Sequence, residues 1–322
     1  MKLDGFREKI RSMVADDLKA IESDGKPQPT TIYHYTDVKG TLGILETGDL
    51  WFTERTHLND TAEMTYGFRI ARKLFDGSAK LRKPSVPDIE SFRLHETHEM
   101  RLHQFGHWIF SASLNDNDLG QWQRYADDGR GVCLGFSLEK LKPTLEPSAI
   151  TKALPHVHHA LRFRVSYSEN QLRTNLQRYV DCALDILEKL DLPPKDRETQ
   201  NVEQEVFFYL NGGIYLHSML CKHEAYKHEE EYRLLVSGER DKFEYYDCHC
   251  VRERNHEMVG YLKLPIPEWR SPGMQTGPLT HVRIGPAAPE RLKDQIWTAL
   301  RSFRIPLLGL NPDKSDLPYR SS

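Results

Sequence analysis

Apolar positions near the start of the chain recur at helical spacing. Phe6, Ile10, Met13, Val14, Leu18 and Ile21 mark one face of an amphipathic helix from about residue 4, and "DGKPQPT" breaks it. The period then shortens. "TIYHYT" (31–36) is β-branched and aromatic and predicts a strand. "DVKGTLGILETGDLWFT" predicts a short helix stopped at Gly48, then a second strand over 50–53. "NDTAEMTYGFRIARKLF" opens with Asp60 and Glu63 at capping-box spacing and predicts a helix. An exposed connection follows over 79–88, and a further helix is expected to about 104. "HWIFSAS" (107–113) and "GVCLGFS" (131–137) predict buried strands, with a polar loop and a helical turn between them. "LRFRVSYS" predicts another strand, and 170–190 and 200–222 predict helices. The remaining strands are expected in "KHEAYKHEEEYRLL" (222–235) and at 243–248, 258–264 and 279–284. A last helix is expected over 289–301.

No repeat and no convincing linker cuts the chain. The pattern predicts an α+β protein built on a mixed, mostly antiparallel sheet with helical insertions. Residues 1–30 form a helix and connector. Residues 31–310 form one domain with a helical insertion at about 170–222, and 311–322 form a tail.

Composition acts mainly by exclusion. With 39% apolar and 28% charged residues, the chain has enough apolar surface to fold rather than stay disordered. A net charge of -3 supplies no bulk attraction to nucleic acid or to an anionic membrane. No run approaches the roughly 18 apolar residues of a membrane span. The first residues carry acids where a signal peptide has its apolar stretch. The five cysteines are odd in number and scattered, as in a reduced, cytoplasmic protein rather than a disulfide framework.

Several polar groups are candidates for chemistry, each with two readings. On a strand, Tyr33 and Tyr35 share one face and His34 takes the other. His34 is then either a satisfied core residue or a ring N–H offered to a ligand hydroxyl. Ser111 and Ser113 either cap a loop or let a planar ligand lie against the strand. Trp122 and Tyr125 either plug the loop or form an aromatic wall, with Arg124 and Arg130 as a phosphate clamp. If 229–236 is a strand, Glu229 and Glu231 share a face and Glu230 points away. Paired carboxylates in unlike environments can divide labour, and a charge run is also an ordinary solvated surface. Lys222 and Arg233 read best as structural ion-pair partners.

"HVHH" (156–159) and "CHC" (248–250) lack the two-residue gaps that zinc ligands use, so no metal is expected. No Walker or Rossmann glycine loop and no GxSxG elbow is present.

Together, "IYHYT", "GILETGDLWFT" with "LNDTAEM", "FSASLNDNDLGQWQRYADDGRGVCLGF", "KHEAYKHEEEYRLL" and "VRIGP" resemble the bacterial family called domain of unknown function 2971, over about 32–307. More remotely, their order resembles the ADP-ribosyltransferase superfamily. That resemblance implies its fold and NAD as substrate, with a role as a toxin or anti-phage effector. It implies His34 at the ribose, Tyr35 also in the cofactor site, Ser111 and Ser113 under the nicotinamide, and Glu231 as catalytic glutamate with Glu229 as its ExE partner. Trp122, Arg124, Tyr125 and Arg130 would complete the cofactor site. The alternatives are a non-catalytic nucleotide sensor and a protein-interaction module. The expected ligand is a nucleotide, and a protein partner is compatible with either alternative.

Overall fold

Strand and helix periods in the sequence become two separate units in the structure. A computed structural model describes residues 3–22, 25–58, 62–82, 105–146, 157–190, 197–239, 249–254, 256–270 and 276–319. In chain order the helices are α1 (Leu3–Glu22), α2 (Val38–Thr47), α3 (Ala62–Lys80), α4 (Leu119–Tyr125), α5 (Leu138–Leu145), α6 (Glu169–Leu190), α7 (Arg197–Leu220) and α8 (Leu292–Ser302). The strands are β1 (Thr31–Thr36), β2 (Asp49–Glu54), β3 (Phe105–Ser113), β4 (Val132–Ser137), β5 (Val157–Arg164), β6 (Glu231–Glu239), β7 (His249–Arg254), β8 (Glu257–Pro265), β9 (Leu279–Ile284) and β10 (Asp313–Lys314).

One unit is helical and comprises Met1–Gly25, Asn59–Phe105 and Val165–Lys227. The expected helical insertion belongs here, as α6 and α7, with α1 and α3. Their apolar stripes meet in a core that includes Phe6, Ile10, Ile70, Phe75, Leu176, Val180, Leu210 and Ile214. Inside it, Asp17 accepts from Tyr179 Oη at 2.7 Å, His217 Nε2 at 3.0 Å and Arg178 Nη1 at 2.9 Å.

The other unit comprises Lys26–Leu58, Gly106–Arg164 and His228–Ser322, and it holds the described strands apart from Phe105, the first residue of β3. The main path of its sheet is β10-β9-β4-β1-β3-β2-β8-β7, and β3 also pairs with β6, which pairs with β5. The pairs with a stated register are antiparallel except β9–β10. Leu114 N donates to the Glu230 carbonyl, and His107 Nδ1 contacts Ser237 Oγ at 2.7 Å. Rising numbers on β6 thus run with falling numbers on β3. That antiparallel register sets Ser113 across from Glu231 and Ala112 across from Tyr232.

Alternation gives the sheet two unlike faces. Ile32, Phe110, Leu134, Phe136, Tyr232 and Leu234 join the main core with residues of α2, α5 and α8. On the opposite face Tyr35, Trp122, Ala126 and Cys133 form a smaller cluster, with Tyr33, Tyr125 and Leu317 against it. Local chemistry fixes the connections. Asp37 caps α2 by accepting from Gly40 N at 2.6 Å, and Gly48 ends it in the left-handed region at φ 73°.

Several expectations need correction. The stretch 222–235 is not one strand: 224–229 form a 3₁₀ turn and β6 begins at Glu231. Within the expected tail, Asp313–Lys314 form β10 beside β9, and Leu317 packs on the smaller cluster. The helix α5 and the strand β7 were not anticipated. The expected strand at 243–248 and most of the connection and helix expected over 79–104 lie outside the described residues, as does Asp60 of the expected capping pair.

Candidate functional site

Building the site begins with the loop 114–131, which crosses the face carrying Tyr33 and Tyr35. The Tyr35 hydroxyl donates to the Asn115 carbonyl at 2.9 Å and accepts from Asp118 N at 2.9 Å. Burial pushes that hydroxyl's pKa far up, so it stays protonated. Ser113 Oγ donates to the Glu229 carbonyl at 2.8 Å and accepts from Asn115 N at 3.0 Å. Trp122 is wholly buried, edge-on to Tyr35 at 4.8 Å, with its N–H given to Asn117 Oδ1. The three residues fasten the loop. Trp122 cannot form a stacking wall, because its ring has no accessible face.

The end of the loop explains its glycines. Asp127, Asp128 and Gly129 are consecutive left-handed residues, at φ 48°, 51° and 77°. Gly285 N donates to the Gly131 carbonyl and Ala287 N to the Gly129 carbonyl. A methyl on Gly131 would overlie the Thr36 carbonyl oxygen, and one on Gly285 would overlie that of Gly129. The motifs "DDGRG" and "VRIGP" therefore share one close backbone junction. Arg130 pairs with Asp127 at 3.3 Å on the exposed side of this turn.

The glutamates separate. Glu229 ends the 3₁₀ turn, 2% exposed, and its Oε1 accepts from Arg124 Nη1 at 2.9 Å and Tyr125 Oη at 3.3 Å. Glu230 is left-handed at φ 42°, which breaks the strand and turns its own side chain to solvent. Glu231 opens β6, 6% exposed, and meets Arg233 in a two-point fork: Nε to Oε1 at 2.7 Å and Nη2 to Oε2 at 2.9 Å. The structural ion pair expected of Arg233 is present. The shared strand face expected of Glu229 and Glu231 is not, because Glu229 precedes the strand.

His34 also departs from the expected cluster. Its ring stacks on Phe110 at 4.5 Å, on the main-core face, whereas Ser113 and Glu231 project to the other face. Its Nδ1 lies 2.9 Å from the Ser111 carbonyl. A carbonyl only accepts, so Nδ1 carries the proton, and in the neutral ring Nε2 is an acceptor. The ring N–H expected for a ligand hydroxyl is thus given to the Ser111 carbonyl of β3. His34, Ser111 and Ser113 lie on adjacent strands, but the side chains of His34, Ser113 and Glu231 do not converge on one pocket.

Sequence reasoning missed a polar cluster on the loop's face. Arg283 reaches Asp116 at 3.0 Å and Asp313 at 3.0 Å, and His281 Nε2 is 3.3 Å from Asp116. Burial holds the His281 pKa below its ordinary value. Tyr33 sits edge-on to His281 at 5.8 Å across Gly135, which has no side chain to part them. The alternation of His281 and Arg283 in "HVRIGP" was the available signal. Arg283 already neutralises both carboxylates. Among the described residues no group of three or more His, Cys, Asp or Glu is placed to hold a metal ion. The side chains of His156, His158, His159 and Cys248 lie outside that description. Also among the described residues, no helix is long and apolar enough to cross a membrane.

Residues 121–234 match the family model described as Protein of unknown function (DUF2971). The match is shorter than the 32–307 suggested by the motifs. It includes most of α4, the Gly129–Gly131 turn, β4 and the segment from Glu229 to Arg233; of the three residues that fasten the loop it takes in Trp122, while Tyr35 and Ser113 lie outside it. No curated protein and no solved structure gives a match to the chain.

Proposed function

We propose that the chain binds a nucleotide of the NAD type at the seam of β1, β3 and β6 without consuming it, as a sensor. The observation that carries this reading is the state of Glu231. The carboxylate that would have to face the ribose is almost fully buried, held at both oxygens by Arg233, and on the sheet face opposite His34. Stabilising an oxocarbenium-like ribose needs a carboxylate aimed at the developing charge. A carboxylate neutralised by a forked guanidinium does that poorly. The binding half of the proposal rests on placement: β1 pairs with β3, which sets His34 beside the Ser111 backbone at this seam.

ADP-ribosyl transfer or NAD hydrolysis is the second reading, and one observation favours it. His34, the Ser111–Ser113 pair and Glu231 come from distant parts of the sequence onto three neighbouring strands, β1, β3 and β6. One pair of measurements separates the readings. Calorimetric titration with NAD should give saturable binding, and chromatography of the same mixture should show no free nicotinamide. Nicotinamide release that disappears in Glu231→Gln would establish the transferase or hydrolase reading. Absence of NAD binding would remove both.

A further inference from the structure

We infer that the C-terminal segment 313–319 is a strap across the loop 114–131, and that proton uptake by His281 releases it. The strap is tied to β9 and to the loop mainly by polar groups. Asp313 Oδ2 accepts from Arg283 Nη2 at 3.0 Å, and Ser315 N donates to the Ile284 carbonyl at 2.8 Å. Ser315 Oγ donates to Asn117 Oδ1 at 2.7 Å, the oxygen that also accepts the Trp122 N–H at 3.0 Å. Asn117 Nδ2 donates to Asp316 Oδ1, and Tyr319 Oη donates to Asp128. Leu317, half-buried, packs on the cluster of Tyr35, Trp122, Ala126 and Cys133. Only Asp313 and Lys314 pair with β9 as a strand. A two-residue ladder, one half-buried leucine and partly exposed polar contacts place the strap at the low-stability end of a fold.

The closed strap leaves a defect beside His281. Nε2 is enclosed, 3.3 Å from Asp116 Oδ2 and 3.9 Å from Asp313 Oδ1. Among the described residues neither Nε2 nor Asp313 Oδ1 makes a hydrogen bond. Buried polar atoms without partners cost free energy, and lifting the strap returns these two to water.

The charged and titratable groups that face the ring come from four elements. They are Asp116 of the loop, Asp313 of the strap, Arg283 two residues along β9, and Tyr33 of β1, edge-on at 5.8 Å. Arg283 already contacts both carboxylates at 3.0 Å. A proton on His281 would add a second positive charge there, on a ring whose Nε2 has no hydrogen bond to give. Burial, the largest effect, together with the like charge of Arg283 outweighs the two carboxylates and holds the pKa below its ordinary value. With the strap lifted, the ring takes its proton from water at the ordinary value. A pKa that is lower in the closed state favours closure at high pH, and that preference is lost as pH falls below the ordinary value. The strap therefore stays down at neutral pH and loosens below about pH 6.5. Release withdraws the contacts of Ser315, Asp316, Leu317 and Tyr319 from the loop together.

The competing explanation is a permanent clasp in which His281 only fills space. Hydrogen–deuterium exchange of the full chain at about pH 7.5 and pH 5.5, corrected for intrinsic rates, decides between them. Peptides covering 313–319 and 114–131 should exchange faster in acid, by about three- to tenfold per pH unit, ten being the limit for one proton. His281→Gln and His281→Phe, neither of which titrates, should show no such acceleration. Asp313→Asn should raise exchange in both peptides already at pH 7.5. Nuclear magnetic resonance titration of His281 in the unaltered chain is independent of any variant, and a pKa at or above the ordinary value overturns the inference. So does equal or slower strap exchange in acid, or an acceleration that persists in both His281 variants. Faster strap exchange in Asp313→Asn with an unchanged loop shows that the strap does not hold the loop, which overturns it as well.

Discussion

Arg233 grips Glu231 at both carboxylate oxygens, at 2.7 and 2.9 Å, with the two side chains 2% and 6% exposed. They are two residues apart on β6, so the pleat sets them side by side on one face. Removing one partner leaves a buried charge without its counter-ion. Arg233→Met should cost about 3–5 kcal/mol in urea unfolding, and Glu231→Gln somewhat less. The double variant Glu231→Leu/Arg233→Met should recover most of the loss. A double variant as unstable as the sum of its parts would show that the pair is worth more than its replacement by apolar packing.

Acid should act on the helical unit through Asp17. Burial pushes its pKa up, but hydrogen bonds from His217, Tyr179 and Arg178 outweigh burial and bring it down to about 2. A carboxyl lowered in the folded state stabilises above its unfolded pKa, and that stability is lost as pH falls through the folded value. The window lies between roughly pH 4 and pH 2, and the loss is on the order of 2 kcal/mol. Asp17→Asn should flatten the pH dependence of unfolding there. An unchanged slope would mean that Asp17 is no more acidic in the folded chain than in the unfolded one.

Glycine substitutions should divide by surroundings. Gly77 lies in α3, and a methyl there meets nothing within 4 Å. Gly77→Ala should stabilise by about 0.5–1 kcal/mol. Gly131→Ala would drive a methyl into the Thr36 backbone, which cannot move aside without disturbing β1. A large loss of stability, or loss of soluble protein, is expected. Equal melting temperatures for the two variants would refute this account of the Gly131–Gly285 junction.

Glu230 stores backbone strain at φ 42° while its side chain is exposed. A left-handed residue that is not glycine costs roughly 1–2 kcal/mol. Glu230→Gly should recover up to about 1 kcal/mol after glycine's own entropy cost, and Glu230→Ala should recover none. Thermal melting of the three proteins checks the order.

How legible this was depended on the distance over which the determining physics acts. β1 and β9 were readable to the residue because a strand's period and its breakers are local. "EEEYR" was misread because a run of charges carries no information about backbone angles. The left-handed turn at Glu230 is imposed by the pairing of 114 with 230, contributed from far away in the chain. The placement of His34 opposite Tyr33 and Tyr35 was visible in the period of two. Its consequence was not, because it depends on β6 lying beside β3. In "LRFRVS", Leu161, Phe163 and Val165 alternate with arginines, and sequence alone would turn the arginines to water. Register with Leu234 and Tyr232 turns them to the core side. Tyr35, Ser113 and Trp122 were found as a group but for another reason: they fasten a loop.

The two units are interleaved along the chain, which passes from one to the other at residues 25, 58, 105, 164 and 227. During synthesis, neither unit is complete when its first segment emerges. β4, the neighbour of β1, must wait for β9, and β9 for the strand β10, which come later in the chain. Long-range pairing of this kind folds slowly, because loop closure precedes the contacts that reward it. No single cut in the gene separates the units, so expressing the sheet alone would require rejoining three pieces.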